Sequence, residues 1–155
     1  MQSKGWIPML RRIVLAGFVI GLVAGTGIAQ SDPIATRIAL MKGNNDNART
    51  AVQMMRGQAP FDVGKIEVAF AQWADTAQKL PGLFPDSSKT GGETRATPKV
   101  WQTKSDFDAK AAAFGKAVAE TRDGAKASLD GLKAAIAVVG KACDNCHEDY
   151  RASKQ

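Results

Sequence analysis

Apolar residues recur at helical spacing from Ile34 to Val139, and nowhere in that stretch do they alternate in the manner of a strand. Aromatics make up only 6% of the chain, and Val, Ile, Thr and Tyr form no alternating runs, so a β-sandwich or barrel is excluded. Ala, Lys and Leu fill the long stretches, which favours helix. Turn signals divide the pattern into four segments. The first opens at Asp32-Pro33, with Asp as N-cap and Pro at the first helical position. It carries Ile34, Ile38, Met41, Val52 and Met55 and closes at Gly57-Gln58-Ala59-Pro60. Gly43-Asn44-Asn45 weakens its middle, where a local distortion is expected. Asp62 caps the second segment, which presents Ile66, Ala69, Phe70 and Trp73 and runs to about Lys79, where Pro81 stops it. Thr97 and Pro98 open the third, with Val100, Trp101, Phe107, Ala111, Phe114 and Val118 as its buried face and Asp123-Gly124 as its end. The fourth starts near Ser128 or Asp130 and carries Leu132, Ala135, Ile136 and Val139 towards Tyr150. Short connections join antiparallel neighbours, so the expected fold is all-α, an up-down-up-down antiparallel four-helix bundle of helices of roughly 20 residues. The one long connection, Pro81 to Pro98, runs along the outside without changing that order. A loop of that length in a compact domain is often functional or packed on itself.

The segment ahead of Gln30 stands outside this pattern. Lys4, Arg11 and Arg12 precede a charge-free apolar run from Ile13 to Ile28, and the small residues Gly27 and Ala29 flank Ile28. This reads as an export signal peptide, residues 1–29, cleaved after Ala29, with 30–155 as the single mature domain. The alternative is an uncleaved anchor, but the run falls short of the ~18–20 apolar residues of a spanning helix, and no stable membrane span is expected after cleavage. The signal holds three basic residues and no acid, so its removal lowers the net charge of +6 by three. The remaining charge is too small, and too free of basic runs with interleaved aromatics, for nucleic-acid binding.

Both cysteines and the only histidine of the chain fall within Cys143-Asp144-Asn145-Cys146-His147. The spacing is C-x-x-C-H, the attachment pattern of a c-type haem. Thiols three residues apart share a helical face and reach the two vinyl groups of a haem, while the adjacent imidazole reaches the iron. One covalently attached haem c per chain is therefore expected, bound through Cys143 and Cys146, with His147 as a metal ligand. Thioether attachment takes place outside the cytoplasm, in agreement with the export signal. A Cys143–Cys146 disulfide would leave His147 without a role. A thioredoxin-like dithiol needs a βαβ setting, and zinc needs a further soft ligand. Paired carboxylates, a nucleophile with its base and a glycine-rich phosphate loop are all missing from the sequence, so no enzymatic activity is expected.

The second axial position of the iron has to be filled from upstream of His147, since no Met or His follows it. Met41 lies ~12 Å into the first helix and His147 ~8 Å before the end of the fourth, at similar height in an antiparallel bundle, whereas Met54 and Met55 lie a further ~20 Å away. Met41 then either ligates the iron or packs on the haem plane as a gap-filling methionine. Trp73, Trp101, Phe107 and Phe114 read as core.

With these residues in place, the chain resembles the class II cytochromes c over essentially all of 30–155, and most resembles their low-spin cytochrome c556 type. The resemblance rests on Arg37-Ile38-Ala39-Leu40-Met41-Lys42, Gly57-Gln58-Ala59-Pro60-Phe61-Asp62, Leu80-Pro81-Gly82-Leu83-Phe84-Pro85-Asp86-Ser87, Pro98-Lys99-Val100-Trp101, and Gly140-Lys141-Ala142 leading into Cys143–His147, then Tyr150-Arg151. It implies Met41 as the sixth ligand of the iron. It further implies that Arg37 approaches a haem propionate and that Arg151 lies near the proximal imidazole. Without it, both read as solvated helix arginines, Arg151 favouring the helix dipole. The function implied is electron transfer in the periplasm with a redox partner protein, by a monomer or homodimer. The rival is a cytochrome c′ whose iron is five-coordinate, open on the Met41 side to NO or CO.

Overall fold

The structure is a computed structural model that describes residues 32–153; the expected signal segment, 1–29, lies outside the described residues. Four long helices and one short one follow in order: α1 (Pro33–Met55), α2 (Val63–Lys79), the single turn α3 (Lys99–Gln102), α4 (Lys104–Ala127) and α5 (Leu129–Tyr150). Each helix start with a capping side chain has the one its sequence offers. Asp32 accepts from the Ile34 amide at 2.9 Å, Asp62 from Lys65 at 3.1 Å and Ser128 from Gly131 at 3.0 Å, which satisfies donors a helix start leaves open. At the end of α1, Gly57 takes φ +69°, the left-handed conformation a glycine enters without a Cβ penalty.

α1 packs beside α2 and α5, and both of these pack on α4, the closed square of an antiparallel four-helix bundle. Among the described residues there is no strand, only an isolated bridge between Ala96 and Arg151. No helix among them is long and apolar enough to cross a membrane. Two apolar clusters fill the interior. The main one draws Met54 from α1, Phe70 and Trp73 from α2, Phe114 from α4, and Leu132 and Val139 from α5. The second holds Leu80, Phe84, Val100, Phe107 and Tyr150, at the end of the bundle where the long connection lies. That connection is shaped by two 3-10 turns, Leu80–Leu83 and Asp86–Ser88, and buries Leu80 and Phe84. It is a packed part of the fold, as its length suggested.

Three local expectations change. α4 runs through Asp123-Gly124 to Ala127, and Ser128 in extended conformation ends it. Gly124 is instead a point of close approach, because a Cβ on Gly131 would be driven into its carbonyl oxygen. α1 continues through Gly43-Asn44-Asn45, held by α2. The Trp73 indole donates to the Asn44 carbonyl at 3.2 Å, and the Thr76 hydroxyl donates to the Asn44 side-chain oxygen at 2.9 Å. The inward face of α1 is also turned from the expected stripe. Ile34, Arg37, Ala51 and Met54 are buried, while Ile38 is 43% exposed. The two polar residues on that face, Arg37 and Asn44, are the ones with partners across the interior.

Candidate haem site

α5 continues without a break through Cys143–His147, so Cys143 and Cys146 are on one helical face. Both are free thiols and half-buried. Cys143 packs on the main cluster and Cys146 on the second. Burial pushes the Cys143 thiol up to about 11, helped by the neighbouring Asp144 carboxylate, and pushes Cys146 upwards as well. His147 is half-buried too. Burial lowers its pKa and the positive charge of Arg151 lowers it further, which favours the neutral imidazole that binds metals.

Of the described methionines, only Met41 joins the cluster that Cys146 borders, which Leu83, Ala96 and Trp101 join as well. Met54 is buried in the main cluster and Met55 packs against it, the separation that helix direction predicted. Two thiols on one face of α5 with an adjacent imidazole, and the Met41 thioether bordering the same cluster as Cys146, are a donor set that fits a haem c. No group of three His, Cys, Asp or Glu among the described residues is placed to hold a metal ion, so zinc has no support.

Arg37 lies within the same end of the molecule, buried, with its guanidinium bonded to the long loop and stacked over Phe84 at 4.5 Å. Burial lowers its pKa, and the Asp32 carboxylate acts in the opposite direction. Arg151 follows α5 directly. α5 ends at Tyr150, Arg151 is extended at φ −121°, and its backbone bridges to Ala96. Its side chain is exposed, and it acts on His147 through charge.

Sequence reasoning missed the polar frame beneath the motif. Asp149 pairs with both Lys110 and Lys99, which hold its carboxyl down at about 2, the Lys110 hydrogen bond first. Lys110 also donates to the Asn145 carbonyl at 3.1 Å, inside the C-x-x-C-H segment. The Tyr150 hydroxyl donates to Asp106 at 2.6 Å, and Tyr150 packs edge-on against Phe107. One signal was available. A carboxylate in the last turn of a helix opposes the macrodipole and calls for cations nearby.

A four-helix bundle whose last helix carries two half-buried free thiols on one face and an adjacent half-buried imidazole defines the class of bundle cytochromes with covalent haem. A family model described as Cytochrome C' matches residues 32–151. Among known proteins, the chain is 42% identical to the cytochrome c′ of Rhodopseudomonas palustris, over 94% of this chain and 98% of the relative. It is 39% identical to cytochrome c-556 of the same organism, over 92% and 97%. A solved structure of cytochrome c′ from Rhodopseudomonas palustris superposes with a TM-score of 0.75 at 39% identity, covering 81% of this chain and all of that one. The chain belongs to the cytochrome c′ family, within the class II cytochromes c, and carries covalently attached haem c. Members of this family are electron carriers or gas binders rather than typical enzymes, and are monomers or dimers.

Proposed function

We propose that this protein carries single electrons in the periplasm. The haem, when bound, supplies a one-electron Fe(III)/Fe(II) couple. In this reading Cys143 and Cys146 would hold it covalently, and His147 and Met41 would give its iron a nitrogen and a thioether ligand. Thioether ligation favours Fe(II) and raises the potential. Leu80, Phe84, Val100 and Phe107 keep water from the Met41 side. Arg151 adds positive charge near His147, and Arg37, with its guanidinium bonded to the loop, adds positive charge at the same end of the bundle. The signal 1–29 is removed after Ala29, and the mature domain 30–155 works without enzymatic turnover, as a monomer or homodimer facing a redox protein. The observation that carries this reading is that Met41 borders the same apolar cluster as Cys146.

A second reading is that Met41 packs without bonding and the five-coordinate iron binds NO or CO. Its support is the 42% identity to a relative named cytochrome c′. The visible spectrum of the ferrous protein with and without CO separates the two. Sharp low-spin bands that CO replaces only slowly are expected. A broad high-spin spectrum that shifts on adding CO would hand the case to the second reading.

A further inference from the structure

Arg37 is only 5% exposed, yet all of its hydrogen bonds go to neutral oxygens of the long loop. Nη1 donates to the Leu83 carbonyl at 3.0 Å and the Ser88 hydroxyl at 3.0 Å, and Nη2 to the Ser88 carbonyl at 3.1 Å and the Thr94 hydroxyl at 2.7 Å. Burying a charge is costly unless its donors are satisfied. Here the return is geometric, because one rigid fork fixes three loop residues at once. The far end of the same loop is tied to the other side of the site. The Thr97 amide donates to the Tyr150 carbonyl at 3.0 Å and the Ala152 amide to the Arg95 carbonyl at 2.8 Å. The loop is therefore fastened at one end to the helix of Met41 and at the other to the end of the helix of His147. Met41 is four residues on from Arg37, on the same helical face, and Leu83 and Ala96 of the loop border its cluster.

We propose that Arg37 is a positioning residue that holds the Leu80–Ala96 loop closed over the Met41 side of the haem site and so limits the approach of an outside ligand to the iron. The inference rests on the reading of Cys143, Cys146 and His147 as the haem attachment. It holds whether Met41 bonds the iron or only packs against the haem. Lysine cannot take the place of Arg37, since one ammonium cannot span acceptors held by a planar fork.

The test uses the haem-loaded protein with Arg37→Met, Arg37→Lys and, from the loop side, Thr94→Val. Arg122→Met, which breaks the Glu67 pair between α2 and α4, controls for general loosening. Two quantities are read: trypsin cleavage after Lys89 and Arg95, mapped by mass spectrometry, and the rate of CO binding to ferrous iron. Both Arg37 variants should be cut faster and should bind CO about tenfold to a hundredfold faster, the range set by losing buried charge-assisted hydrogen bonds. Thr94→Val should move both quantities the same way by less, and Arg122→Met should move neither. Faster cutting with an unchanged CO rate would overturn the proposal, as would an equal effect of Arg122→Met. A wild-type protein that is high-spin defeats Met41 ligation alone, and the CO comparison still decides the role of Arg37. A wild-type protein without covalent haem defeats the attachment reading and this inference together.

Discussion

Met41 is half-buried against the cluster of Leu80, Phe84, Val100, Phe107 and Tyr150, so its removal acts through packing and through the iron separately. Packing alone makes a buried Met→Ala change cost ~2–5 kcal/mol, the lower end applying to a side chain that is only partly covered. Stability therefore says little about ligation, and spin state says more. In Met41→Ala the ferrous protein should become high-spin, bind CO readily and show a lower reduction potential, read by visible spectroscopy and redox titration. An unchanged low-spin spectrum would show that another group holds the iron. At this scale the sequence was legible where chemistry is contiguous, as in Cys143, Cys146 and His147. Met41 could be singled out because helix direction and rise per residue separate it from Met54 and Met55. The partners of Arg37 could not be read, since they are carbonyls and hydroxyls of a loop whose path no periodicity specifies. The charge of Arg151 on His147 could be anticipated only from the resemblance, since its extended backbone beyond α5 follows no helical spacing.

The helices themselves were legible from their caps, because Asp32, Asp62 and Ser128 each announce a start with a side chain suited to it. Stops were harder. Gly124 looks like a helix end, but α4 runs through it, and the close approach falls on Gly131, whose Cβ position meets the Gly124 carbonyl; a need for space leaves the same mark in a sequence as a need for flexibility. The two glycines should respond differently to substitution. Gly131→Ala pushes a methyl into backbone and should destabilise by about 1–3 kcal/mol. Gly124→Ala meets nothing within 4 Å and should stabilise by roughly 0.5–1 kcal/mol through helix propensity. Thermal unfolding of the two variants checks this. Equal effects would mean that the α4–α5 corner is free to shift. The turned face of α1 has the same origin as the misread stop. Apolar periodicity alone favours Ile38, and only the partners of Arg37 and Asn44 reveal which side faces inward.

Across the whole molecule the two ends are built differently. The end near Met54 and Leu132 is closed by the short connections 56–62 and 128, while the end with the haem site is closed by the long loop and its ties. Without haem, the amides of residues 83–103 and of the last turn of α5 should exchange with solvent faster than those around Met54, Phe70 and Leu132. Loading with haem should slow the first group more than the second. Hydrogen exchange on the two forms measures this, and uniform protection would contradict it. The ties of the loop also set an order in time. Arg37 and Ser88 are 51 residues apart, and Thr103 and Tyr150 are 47 apart, so each contact closes a long stretch of chain, whereas the α1–α2 and α4–α5 hairpins need only local search. The hairpins are expected to form first and the Ala96–Arg151 bridge last. During that interval Cys143 and Cys146 already share a helical face while the loop that borders the Cys146 cluster is still untied, and this is the window in which two thioether bonds can be made.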